Sequence, residues 1–130
     1  MATWADVQNH LRTKYGRHIG ADNPNLIALD FECSGGRAQR ILISTFEAVS
    51  KGWILFRSRV CERSLLDPEE ALRRNSGFAV GFLALAEDHY ELVYTTQLDT
   101  LDLDELELPL HVLTDTADQM ERELTGSDRW

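Results

Sequence analysis

From Leu103 to Leu124 the apolar residues fall at spacings of three and four in alternation: Leu103, Leu106, Leu110, Leu113, Ala117, Met120 and Leu124. That spacing draws one apolar stripe along an amphipathic helix. The opposite face carries Asp102, Asp104, Glu105, Glu107, Asp115, Asp118, Glu121 and Glu123 against Arg122 alone. Pro109 stands inside the stripe. Because Leu103 and Leu106 continue the phase across it, the pattern favours one helix kinked at the proline over a short first turn (102–107) followed by a helix with Pro109 in its first turn.

Elsewhere the pattern is mixed. Trp4, Val7, Leu11 and Tyr15 follow helical spacing behind a Thr3/Asp6 capping pair, with Gly16 at the stop, which predicts a helix over about 4–15. The polar run 20–25 (GADNPN) reads as a loop. In 26–33 (LIALDFEC) Ile27, Leu29, Phe31 and Cys33 share one strand face, opposite Asp30 and Glu32. The turn at 34–37 leads into a strand over 38–48, and Ser50-Lys51-Gly52 leads into another over 52–60. Asp67, Pro68 and the acids Glu69 and Glu70 open a short helix to about Asn75. Strands over 78–86 and 90–98 follow. The expected fold is α+β, a five-stranded antiparallel sheet in the order α-β-β-β-α-β-β-α, within one domain spanning 1–130 whose last few residues form a loose tail.

Length and an apolar content of 43% suit one hydrophobic core. No run approaches a membrane span, and the N-terminal residues lack a signal-peptide pattern, so a cytoplasmic protein is expected. A net charge of −9 argues against nucleic acid or anionic membrane as the main partner. The charge is uneven: residues 36–76 carry eight basic and five acidic groups, residues 77–130 two and thirteen.

Candidate chemistry is sparse. His10, His18, His89 and His111 lie in separate elements, and no metal-ligand spacing occurs. Cys33 and Cys61 are far apart and read as buried or idle thiols, with a disulfide the lesser alternative. Gly35-Gly36 precedes a strand rather than a helix, so it is a hairpin turn and no phosphate cradle. Ser34 has no sign of an activating base. No enzyme, cofactor or metal is expected.

The strand 52–60 says more. If Ile54, Phe56 and Val60 face the core, the far face presents Trp53, Leu55, Arg57 and Arg59. Tryptophan and arginine dominate interface energies, which makes these four the candidate partner-binding residues; the plainer alternative is a solvated face with tryptophan over arginine stems. In 78–86 Phe78, Val80 and Phe82 lie on one face, Leu83 and Leu85 on the other. A strand apolar on both sides calls for a cover on each: a helix of this chain, a second subunit or a partner segment. A regulator that binds nucleic acid through Arg37, Arg40, Arg57, Arg59 and Arg63 is the reading from another class.

The element order, small size, acidity and acidic C-terminal helix together resemble the type III secretion chaperone fold, shared with the YbjN-like proteins. Residues 65–85 (LLDPEEALRRNSGFAVGFLAL) resemble the YbjN-like leucine-rich helix ending in Asn before a Gly/Phe-rich strand, and residues 90–124 its strand, leucine-aspartate turn and final helix. The resemblance implies a homodimer that holds an extended segment of another protein, with no catalytic residues. The final helix is then expected to cover its own sheet, since alone it is marginal in water. Leu72, Phe78 and Phe82 are the expected dimer contact.

Overall fold

The computed structural model describes residues 1–125, so the expected loose tail lies outside the described residues. Helix α1 (Trp4–Tyr15) starts from the Thr3 capping box and buries Val7, Leu11 and Tyr15. Four strands follow, β1 (Ile19–Asn23), β2 (Leu26–Glu32), β3 (Ala38–Ala48) and β4 (Lys51–Glu62). Helix α2 (Pro68–Asn75), strands β5 (Phe82–Ala86) and β6 (His89–Gln97) and helix α3 (Glu107–Thr125) complete the described chain. The strands form one antiparallel sheet in the order β1-β2-β3-β4-β6-β5.

Among the described residues the sheet has six strands, not five. The segment read as a loop holds β1, an edge strand that buries no residue completely. Backbone pairing with β2 makes it a strand, and that needs no apolar alternation. Gly20 belongs here for a local reason: a Cβ would collide with the Asp30 carboxylate where it meets Arg40.

Pro109 does not kink a helix. Leu103–Leu106 forms a separate 3-10 turn and α3 begins at Glu107, so the proline is the third helical residue. An amide there has no partner within the helix in any case, and its absence costs nothing. The strand expected over 78–86 is likewise shorter. Gly81 takes a left-handed φ of 86°, and a Cβ on it would lie 2.9 Å from the Val93 carbonyl oxygen. Only residues from Phe82 onward pair with β6, while Phe78 and Val80 pack against the core before that turn.

The core lies on one side of the sheet. Ile27, Leu29, Ile41, Ile43, Ile54, Phe56 and Leu92 meet Val7 and Leu11 of α1 and Leu110, Leu113, Ala117 and Met120 of α3 in one cluster. Thus α3 covers its own sheet. A bulge between Arg59 and Cys61 puts Val60 and Cys61 both into the core. Free Cys33 and Cys61 thiols are both pushed up in pKa, chiefly by burial.

Asn75 closes the far edge of the sheet. Its amide donates to the Leu83 carbonyl at 3.3 Å and accepts from the Leu83 N–H at 2.6 Å, as a neighbouring strand would. Asn75→Ala should therefore cost about 1–3 kcal/mol for two lost hydrogen bonds. Urea unfolding together with amide exchange at Leu83 measures it; an unchanged exchange rate there would refute the edge-closing role.

Candidate functional site: the open sheet face

With the three helices on one side, the other face of the sheet remains uncovered among the described residues. Alternation along β4 puts Trp53, Leu55, Arg57 and Arg59 there, while Ile54, Phe56 and Ser58 are buried on the helix side. The register then sets their neighbours. Arg57 lies opposite Leu42 of β3 and Val93 of β6, Leu55 opposite Ser44 and Thr95, and Arg59 opposite Glu91.

Trp53 does not sit beside the arginines. It stacks on Phe46 with ring centroids 6.3 Å apart, and its indole N–H donates to the Ala48 carbonyl at 2.9 Å. The four residues singled out from the sequence therefore divide into an aromatic end, Trp53, and a charged end, Arg57 and Arg59, with Leu55 between. At the charged end a cleft of about 680 Å³ opens, bordered by Asp30, Arg40, Leu42, Arg57, Arg59, His89 and Glu91. Arg40 is held by Asp30 in a bidentate pair, Nε to Oδ1 at 2.7 Å and Nη2 to Oδ2 at 3.0 Å. Those hydrogen bonds and the adjacent charge raise the Arg40 pKa further. Glu91 is buried, with Arg57 Nη1 at 3.7 Å and His89 Nε2 at 3.9 Å from its Oε2.

Arg37 is not on this face. It makes a bidentate pair with Asp118 of α3, both contacts at 3.0 Å, and the two side chains are only 12% and 8% exposed. Asp118 and Glu121, read from the sequence as part of the outward acidic face, are buried. The turn of α3 toward the β2–β3 hairpin brings Asp118 to Arg37, and Arg74 of α2 similarly meets Glu123 at 2.9 Å. Two arginines of the middle of the chain are thus paired with acids of its final helix within the molecule.

No family model and no curated protein matches the chain. Among solved structures, a chain of the ExsC–ExsE complex superposes with a TM-score of 0.63 at 18% identity, over 95% of this chain and 97% of that one. A chain of the HopA1–SchA chaperone–effector complex gives 0.62 at 11% identity, over 89% and 90%. The chain shares its fold with both. Within this fold, sequence reasoning located the β4 residues through period-two alternation. It missed Asp30, Leu42, His89 and Glu91, which reach the cleft from β2, β3 and β6. The alternation of Arg40 and Leu42 opposite buried Ile41 and Ile43 was the available signal.

The three expected dimer residues lie in different settings. Leu72 is 71% exposed on α2, Phe82 is 43% exposed on the open face of β5, and Phe78 is half-buried against the core. His18 and His111 flank Phe31 on the helix side, with ring centroids 5.1 and 6.4 Å from it. Among the described residues no cluster of His, Cys, Asp and Glu could hold a metal, and no helix is long and apolar enough to cross a membrane.

Proposed function

We propose that residues 1–130 act as one non-enzymatic, chaperone-like domain that works in the cytoplasm as a homodimer and holds a segment of a partner protein. The observation that carries this reading is the uncovered sheet face, on which Leu42 and Leu55 stand beside Arg57 and Arg59. A sheet face that none of the described residues covers is a surface on which a partner can bury apolar area. Trp53, Leu55, Arg57 and Arg59 carry the partner contact. Leu72 and Phe82, with Phe78 packed against the core, carry the subunit contact at the β5 edge. The net charge of −9 keeps such a surface soluble.

The reading through nucleic acid is weaker on this geometry, because Arg37 is bound to Asp118 and Arg40 to Asp30. The test uses salt. A tagged chain should retain a stoichiometric protein at high salt, and Leu55→Asp should lose it. Partners that dissociate steeply with salt, or nucleic acid in their place, would mark a phosphate-binding surface and overturn the reading. Light scattering at high micromolar concentration tests the dimer separately: wild type should run as two copies and Leu72→Glu as one.

A further inference from the structure

The arginines of the open face are not equivalent. Arg40 spends its Nε and one Nη on Asp30. Arg57 makes no side-chain hydrogen bond among the described residues. Its approach to Glu91, at 3.7 Å, lies beyond hydrogen-bond range, and its Nε is shielded without an acceptor. A guanidinium carries five N–H donors, and one left without acceptors is costly where it is partly buried. The Arg57 side chain is 34% exposed and borders the cleft, so an incoming acceptor can reach it. Glu91, 9% exposed, has its Oε2 3.7 Å from Arg57 Nη1 and attracts the guanidinium by charge without a hydrogen bond.

Two residues along β4 from Arg57, on the same face, is Leu55, with Ser44 and Thr95 as its neighbours. Same-face positions on a strand are about 6.6–6.8 Å apart, and alternate side chains of any extended segment have the same spacing. We infer that the partner segment docks extended along β4, presents an aspartate or glutamate to Arg57, and sets an apolar side chain two residues away over Leu55. The inference rests on the partner-binding reading above and adds the chemistry of what is bound: an apolar-x-acidic pair. A carboxylate satisfies Arg57 bidentately, which a neutral segment cannot do.

A random-sequence peptide library selected on the full chain tests this. Enriched peptides should share an apolar residue and an acid at a spacing of two, and a synthetic peptide of that sequence should bind wild type. Arg57→Gln should weaken it about tenfold or more, Arg57→Lys less, and Leu55→Asp should abolish binding, with unchanged circular dichroism in each variant. Arg57→Glu should restore binding to the same peptide carrying lysine in place of its acid. Peptides lost by Leu55→Asp but indifferent to Arg57→Gln would overturn this inference and leave the partner-binding reading standing. No enriched peptide, or peptides indifferent to Leu55→Asp, would overturn both. Equal competition by inorganic phosphate or a single-stranded oligonucleotide would make Arg57 a general anion site and also overturn the inference.

Discussion

Phe56→Ala is expected to lower the unfolding free energy by about 3–5 kcal/mol. Phe56 sits mid-way along β4, which pairs with β3 on one side and β6 on the other, and it is fully buried. Its register partners are Ile43 and Tyr94, and its ring lies 5.7 Å from that of Tyr94. Helix α3 packs across the same strand, so truncation opens a cavity between two layers that cannot close without moving the helix. Single domains are stable by only about 5–15 kcal/mol, so the loss approaches the whole margin. Urea unfolding gives the number. Phe56→Leu, which keeps most of the volume, should cost much less. A Phe56→Ala loss below about 1 kcal/mol would mean that the site collapses, and would contradict the packing of α3 on β4.

Asp118→Ala should have the next largest effect, a loss of about 3 kcal/mol, because it removes the carboxylate that accepts two hydrogen bonds from the buried Arg37 guanidinium. Arg122, at 3.5 Å from Asp118, is half-exposed and relaxes into water on the same change, so the cost falls on Arg37. The double variant Arg37→Met/Asp118→Leu should recover much of the loss, since a packed apolar pair of similar volume commonly matches or betters a buried ion pair. A double-mutant cycle checks this. Additive losses would show that the two residues act independently and that this pair does not fasten the β2–β3 hairpin to α3.

Much of the architecture is legible in local pattern. Helices α1 and α2 begin at their caps, Thr3 and Asp67, and end within a residue of Gly16 and Asn75, because capping and proline placement are chemical properties of a few adjacent residues. The stripe from Leu103 to Leu124 anticipated which side of α3 packs inward. Pro109 was misread because phase alone cannot distinguish a kinked helix from a 3-10 turn followed by a new helix. Both keep leucines on one side, and the outcome depends on where the chain leaves β6. Strand β1 was illegible because only Ile19 among its side chains packs against the core, which leaves no alternation to read; the strand exists through the backbone edge of β2.

For the candidate site the division is similar. Alternation in β4 sorts Leu55, Arg57 and Arg59 from Ile54 and Phe56, since successive side chains must point to opposite faces. Whether Arg37 reaches a partner or is tied up, whether Asp118 is a solvated charge or a buried one, and which arginine keeps its donors are matters of distance between segments remote in sequence. Arg37 and Asp118 are 81 residues apart, and nothing in the spacing of either relates them. The sequence alone determined the layered α+β pattern, the faces of its central strands and a charge contrast between middle and end. Only the tertiary structure decided that Arg37 and Arg74 of the middle pair with Asp118 and Glu123 of the end, and that the three helices of the described residues lie on one side of the sheet. Ion pairing and helix docking depend on which surfaces meet, and that is settled by burial of the whole apolar set at once.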